Sequence, residues 1–111
     1  MTKRIALLCI AAAVVAAPAA AAGAATTVTV TATEFHFKLS KASVPHGKVT
    51  FVLVNKGTIG HDFEIAGKKT PVIGPGKTAK LTVTLKAGKY PYSCTVPGHA
   101  AAGMKGTLTV K

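Results

Sequence analysis

From Thr26 onward the chain alternates apolar and polar side chains with a period of two. Thr27 to Ala32 interleaves Thr with Val and Ala, and Glu34 to Leu39 sets Phe35, Phe37 and Leu39 against Glu34, His36 and Lys38. Such alternation predicts half-buried strands, because successive side chains of a strand point to opposite faces. Val44-Pro45-His46-Gly47 predicts a turn. A nearly continuous run follows, Val49-Thr50-Phe51-Val52-Leu53-Val54, which suits a central strand and is ended by Asn55-Lys56-Gly57.

His61 to Ala66 predicts a short strand, and Gly67 to Gly76 a loop of Gly, Pro and Lys. Thr78 to Leu85 alternates again, with Leu81, Val83 and Leu85 inward and Lys80, Thr82 and Thr84 outward. Lys89 to Cys94 and Gly106 to Val110 complete the set. Pro91 within the first of these predicts a sheet edge or irregular pairing. No segment here has a helical period. About seven short strands separated by turns predict an all-β fold, a two-sheet antiparallel sandwich with Greek-key connections.

The N-terminal segment has another character. Lys3 and Arg4 precede an apolar run from Ile5 to Ala17, and small residues with Ala-x-Ala frames follow Pro18. That order predicts a secretory signal peptide over residues 1–22, with cleavage as late as residue 25, and a single domain over residues 23–111. The run of 13 residues is shorter than the roughly 18 or more of a spanning helix, so it reads as a signal and not as an uncleaved membrane anchor, and no transmembrane segment is expected after its removal. The expected location is the periplasm or another extracytoplasmic space.

Export changes the charge and the thiol count. Twelve Lys against Glu34, Asp62 and Glu64 leave about +9 on the exported domain, with no Arg. Bidentate phosphate recognition favours Arg, which argues against nucleic acid and for acidic protein partners at most. Cys9 leaves with the signal, so Cys94 remains alone in a compartment where thiols are normally paired. A leftover cysteine there is an intermolecular partner, a reactive thiol or a metal ligand.

Its surroundings decide between these. Cys94, His99 and Met104 stand at Cys-x4-His-x4-Met spacing on a loop rich in Pro and Gly between two strand-like runs. Thiolate and imidazole suit several transition metals, whereas a thioether adds little for zinc and is favoured by copper. Sites with one Cys and a weak axial Met take two imidazoles, and His61, opening its strand after Gly-Thr-Ile-Gly, supplies the second. Met104 alone would read as a core residue; its spacing from Cys94 and His99 is what makes it a donor. His36, outward in its strand, and His46, in a Pro-His-Gly turn, read as surface residues. Gly60, before His61, reads as a tight-turn residue, with a carbonyl approach to the metal as the other reading.

Two stretches, Asn55 to Ile65 and Tyr92 to Gly106, together with Glu34-Phe35-His36-Phe37, closely resemble the cupredoxins, the small blue copper proteins related to plastocyanin, azurin and rusticyanin. The Cys-to-His and His-to-Met spacings look most like the rusticyanin type. The resemblance implies one type 1 copper ion cycling between Cu(II) and Cu(I), with His61, Cys94 and His99 in a near-trigonal plane and Met104 as the long axial ligand. Many cupredoxins carry Asn after the first His; here it is Asp62, whose carboxylate would brace the segment by accepting a hydrogen bond from Thr95.

A closed set of four protein donors leaves no position for a substrate, so no enzymatic activity is expected. The expected function is single-electron shuttling between redox proteins as a monomer, with docking near a surface edge of His99 flanked by Pro97, Gly98 and Ala100 to Ala102. A periplasmic copper carrier or copper-homeostasis protein would use the same fold and donors and is the main alternative. A dinuclear copper centre needs a second cysteine, and haem attachment needs Cys-x-x-Cys-His. Neither occurs in the exported domain.

Overall fold

The computed structural model describes residues 25–111; the expected export signal lies outside them. Strands are β1 (Thr26–Thr33), β2 (His36–Leu39), β3 (Ser43–Val44), β4 (Gly47–Asn55), β5 (Glu64–Ile65), β6 (Lys68–Lys69), β7 (Thr78–Leu85), β8 (Gly88–Ser93) and β9 (Lys105–Val110). One short helix, α1 (His99–Ala102), stands between β8 and β9. Four strands form one sheet in the order β2-β1-β4-β7, and five form the other in the order β3-β9-β8-β5-β6. The sandwich is the expected one. Among the described residues no helix is long and apolar enough to cross a membrane.

The sheets are mixed, not purely antiparallel. β1 runs parallel to β4 from Thr26↔Val49 to Ala32↔Asn55, and β3 runs parallel to β9. Parallel neighbours cannot be joined by a hairpin and need a crossover. The chain makes one here, leaving the first sheet after β2, placing β3 in the second, and returning as β4 beside β1. Hydrophobic alternation is blind to strand direction, because the inward set is the same either way.

Alternation did fix the core. In β1, Val28, Val30 and Ala32 are buried; in β4, Val49, Phe51 and Leu53; in β7, Val83 and Leu85; in β9, Leu108 and Val110. β4 is paired on both sides, as its apolar run demands. Pro91 pairs with Thr107 on β9, but β5 reaches only Tyr92 and Ser93, so at Pro91 the strand is an open edge and the missing N–H is tolerated.

Phe63 is the centre of the packing beneath one end of the sandwich. Its ring lies 5.4 Å from Phe37 in an edge contact, 5.1 Å from Phe51 and 5.4 Å from Tyr92. Such aromatic pairs stabilise beyond the area they bury. Phe63 follows His61 and Asp62 directly, so the cluster anchors the segment that carries them.

Asn55, at the end of β4, is wholly buried and fully engaged. Its Nδ2 donates to the carbonyls of Ile59 and Ile73, each at 2.8 Å, and its Oδ1 accepts from the Gly57 N–H at 2.8 Å. These bonds shape the turn from Lys56 to Gly60 that delivers His61. Asn55→Ala deprives the Gly57 N–H and the Ile59 carbonyl of these partners, and the expected loss is about 2–3 kcal/mol. Urea unfolding of the metal-free protein should show a lower midpoint at an unchanged slope; an unchanged midpoint would show that the turn does not depend on Asn55.

Candidate metal centre

His61 begins where the turn ends, and its backbone is held in both directions. Its N–H donates to the Ile73 carbonyl at 3.1 Å and its carbonyl accepts from the Ile73 N–H at 2.9 Å, an isolated bridge in place of the longer strand expected from His61 to Ala66. Gly60 has no left-handed backbone conformation. It ends the turn from Lys56, and a Cβ there would come within 2.9 Å of Val72 Cγ1, so close packing adds to the turn as a reason for this glycine.

The second half of the site comes from the connection between β8 and β9. The Cys94 N–H donates to the Met104 carbonyl at 3.0 Å, and the Met104 N–H donates to the His99 carbonyl at 3.1 Å, so backbone bonds tie all three residues together. Between them the chain makes the single turn of α1, bounded by Gly98 at φ 84° and Gly103 at φ 129°. Both angles lie where L side chains are strained, which requires glycine. The four-residue helix has too few residues to show a helical period in the sequence.

These two pieces bring His61, Cys94 and His99 together. One donor atom from each lies within 4.8 Å of the others, and all three residues are buried. His61 Nδ1 and His99 Nδ1 are 3.2 Å apart, and Cys94 Sγ is 3.5 Å from His99 Nδ1. Met104 is wholly buried in the same core. His36 and His46 lie apart and exposed, as expected, with His46 Nδ1 at 2.9 Å from the Lys111 carbonyl.

Two carboxylates attend the site, and the structure gives them different places. Asp62 is wholly buried, and both of its oxygens accept from Thr95, one from the backbone N–H at 2.6 Å and the other from the hydroxyl. The expected brace between the His61 segment and the loop after Cys94 is therefore present. Glu34 was expected to face outward in a strand with His36 and Lys38. It lies instead in the turn between β1 and β2 and reaches His61, with Oε2 at 2.6 Å from Nε2. Oε1 accepts from the Thr58 N–H at 2.7 Å and its hydroxyl at 2.6 Å.

Phe35 departs from the pattern for the same reason. It stands in that turn, 41% exposed, with its ring 5.0 Å from His99 in an edge contact. His99 is consequently only 7% exposed, a smaller surface edge than its small neighbours suggested.

Burial pushes the Cys94 thiol up from its usual range, so in the metal-free protein it holds its proton at neutral pH and a metal must displace it. Hydrogen bonds from Thr58 and His61 hold the Glu34 carboxyl down at about 2.

A family of cupredoxin-like domains matches residues 5–110. The chain belongs to the cupredoxin-like family. Rusticyanin of Acidithiobacillus ferrooxidans is 40% identical to this cupredoxin over 83 residues, covering 57% of this chain and 44% of that protein. The chain thus spans less than half of that relative's length. A copper-resistant cuproprotein, CopI of Pseudomonas aeruginosa, is 49% identical over 41 residues, covering 36% of this chain and 23% of its own. The solved structure of dithionite-reduced auracyanin from Roseiflexus castenholzii has a TM-score of 0.68 and 25% identity, covering 80% of this cupredoxin and 99% of that chain.

The donor set fits a copper ion. At roughly 120° around a first-row ion, two nitrogens at about 2.0 Å lie about 3.5 Å apart and a sulfur at about 2.3 Å lies about 3.7 Å from each nitrogen, close to the 3.2 Å and 3.5 Å found here. One thiol and two imidazoles around a single point are a set that copper accepts well.

Depression of the Glu34 carboxyl sets a pH dependence. Its contribution to the stability of the metal-free protein is fully present above its unfolded value of 4.5 and is lost as pH falls toward about 2. Between these limits the wild-type urea midpoint should fall more steeply than that of Glu34→Gln. Parallel slopes would show that the carboxylate adds nothing to folding.

Proposed function

We propose that this cupredoxin holds one type 1 copper ion and carries single electrons between redox proteins. The observation that carries the reading is the convergence of His61, Cys94 and His99 within 4.8 Å inside the core. His61 and His99 would bind through Nδ1 and Cys94 through Sγ, with the buried Met104 thioether as the weak fourth donor. Copper so bound would supply a one-electron couple.

The protein's part is to keep the donors in place. Cys94 and Met104 belong to the same packed core as Phe51, Phe63 and Leu108, and close-packed interiors yield little. Hydrogen bonds at Asp62, Ile73 and Met104 fix the backbone on both sides. Donors that stay still on oxidation and reduction suit electron transfer, and a full donor set gives a substrate nowhere to bind. The structure of a reduced auracyanin with the same fold supports a redox role.

The exchange face would be the end where Phe35 packs on His99, with Ala101 and Ala102 exposed beside it. Small residues let a partner approach closely, and the Lys excess suits an acidic partner. Export to an extracytoplasmic space follows the N-terminal pattern. The second reading, a copper-homeostasis protein, draws on the likeness to CopI. It requires ready release of copper, and the buried donors oppose that.

Addition of Cu(II) to the metal-free protein should produce an intense visible band from thiolate-to-copper charge transfer, bleached by ascorbate and missing in Cys94→Ser. Only weak, broad absorption that survives the substitution would remove the electron-transfer reading. With the loaded protein, rising ionic strength should slow exchange with an acidic redox protein, because screening shortens the reach of the Lys charges. A flat salt profile would exclude that steering.

A further inference from the structure

Glu34 touches the site without supplying one of its donor atoms. The His61 ring has two nitrogens, and they meet different company: Nε2 faces Glu34 Oε2 at 2.6 Å, and Nδ1 faces His99 Nδ1 at 3.2 Å. A neutral imidazole carries one N–H and one lone pair, and a carboxylate can only accept. The proton of His61 therefore belongs on Nε2, and the Nδ1 lone pair looks into the site. In the metal-free protein His99 Nδ1 then supplies the hydrogen shared toward His61 Nδ1 and Cys94 Sγ, at 3.2 Å and 3.5 Å.

The carboxylate is itself fixed. Thr58 holds Oε1 with two bonds, from its N–H and its hydroxyl, and so aims Oε2 at the ring. The path to His61 passes over Gly57. A Cβ built there would collide with Glu34 Oε2 and lie 3.0 Å from His61 Nε2, so the missing side chain is what leaves room for the contact. Three separate features, a carboxylate, a clamp and a gap, converge on one ring nitrogen.

We propose that Glu34 is a positioning residue of the metal centre: by accepting a hydrogen bond from Nε2–H it fixes His61 with Nδ1 toward Cys94 and His99, and its charge favours Cu(II) over Cu(I). The proposal rests on the type 1 reading for its second half only. Partners of this kind raise the donor strength of a ligating imidazole, and their loss typically lowers metal affinity about 10–100-fold.

Glu34→Gln keeps an acceptor and removes the charge, whereas Glu34→Ala removes both. Long-range nitrogen–proton NMR on the metal-free protein reads the His61 tautomer directly. The Nε2–H form is expected in the wild type and in Glu34→Gln, and a mixture in Glu34→Ala. With copper bound, the ratio of Cu(II) to Cu(I) affinity, read as the reduction potential, should fall about tenfold in Glu34→Gln and further in Glu34→Ala. Tenfold corresponds to about 59 mV upward for a one-electron couple.

An Nδ1–H tautomer in the wild type overturns the positioning, and a ratio that moves less than twofold in both variants overturns the effect on copper. A wild type that binds copper without the charge-transfer band refutes the type 1 reading instead. The tautomer measurement, made without metal, then still decides the part played by Glu34.

Discussion

The pair formed by Asp62 and Thr95 is the constraint on which the site depends. His61 and Cys94 are far apart in the chain, and β5 joins β8 through only two residue pairs, Glu64↔Ser93 and Ile65↔Tyr92. So short a ladder leaves the ends free to splay. Asp62 closes the gap by giving both oxygens to Thr95, one residue beyond the thiol. A buried carboxylate left without partners would be heavily destabilising, so the two segments are obliged to stay together. The position of the thiol relative to His61 is thereby tied to the satisfaction of a buried polar group.

The same principle operates at Asn55, where one amide links Gly57, Ile59 and Ile73. Ile73 in turn bonds His61 through both of its backbone groups. The aromatic packing around Phe63 gives this network a rigid floor. Hydrophobic contact sets the distance between the sheets, and directed hydrogen bonds set the angle at which each donor enters the space between them.

How much of this was legible in the sequence depends on the range of each signal. Strands were legible because alternation is local and the core is continuous, as the burial of Val83 and Leu85 between exposed Thr and Lys shows. The meeting of Cys94 and His99 was legible because their spacing lies on one loop, and that of His61 with them because two imidazoles were needed. Glu34 and Phe35 were not. Alternation assigned them to opposite faces of a strand, but that strand starts at His36. In the preceding turn the two-residue period no longer governs direction, so one side chain reaches His61 and the other lies on His99. Asn55 read as a strand breaker, since the partners of a buried amide are not visible in its own neighbourhood.

The two carboxylates also divide the electrostatics of the centre in a way composition does not reveal. Net charge is strongly positive, and a distant surplus of Lys is screened by solvent and salt. Asp62 is wholly buried, and the Glu34 side chain is only 24% exposed, so both act through little water. Coulomb energy rises as both distance and effective dielectric fall, so a charge placed beside a donor counts for more, one for one, than a solvated cation. Asp62 is occupied by hydrogen bonds to the loop, and Glu34 by one to a ring. The first ties two backbone segments together and the second holds a ring, so the same charge type acts on the chain path at one contact and on a side-chain orientation at the other.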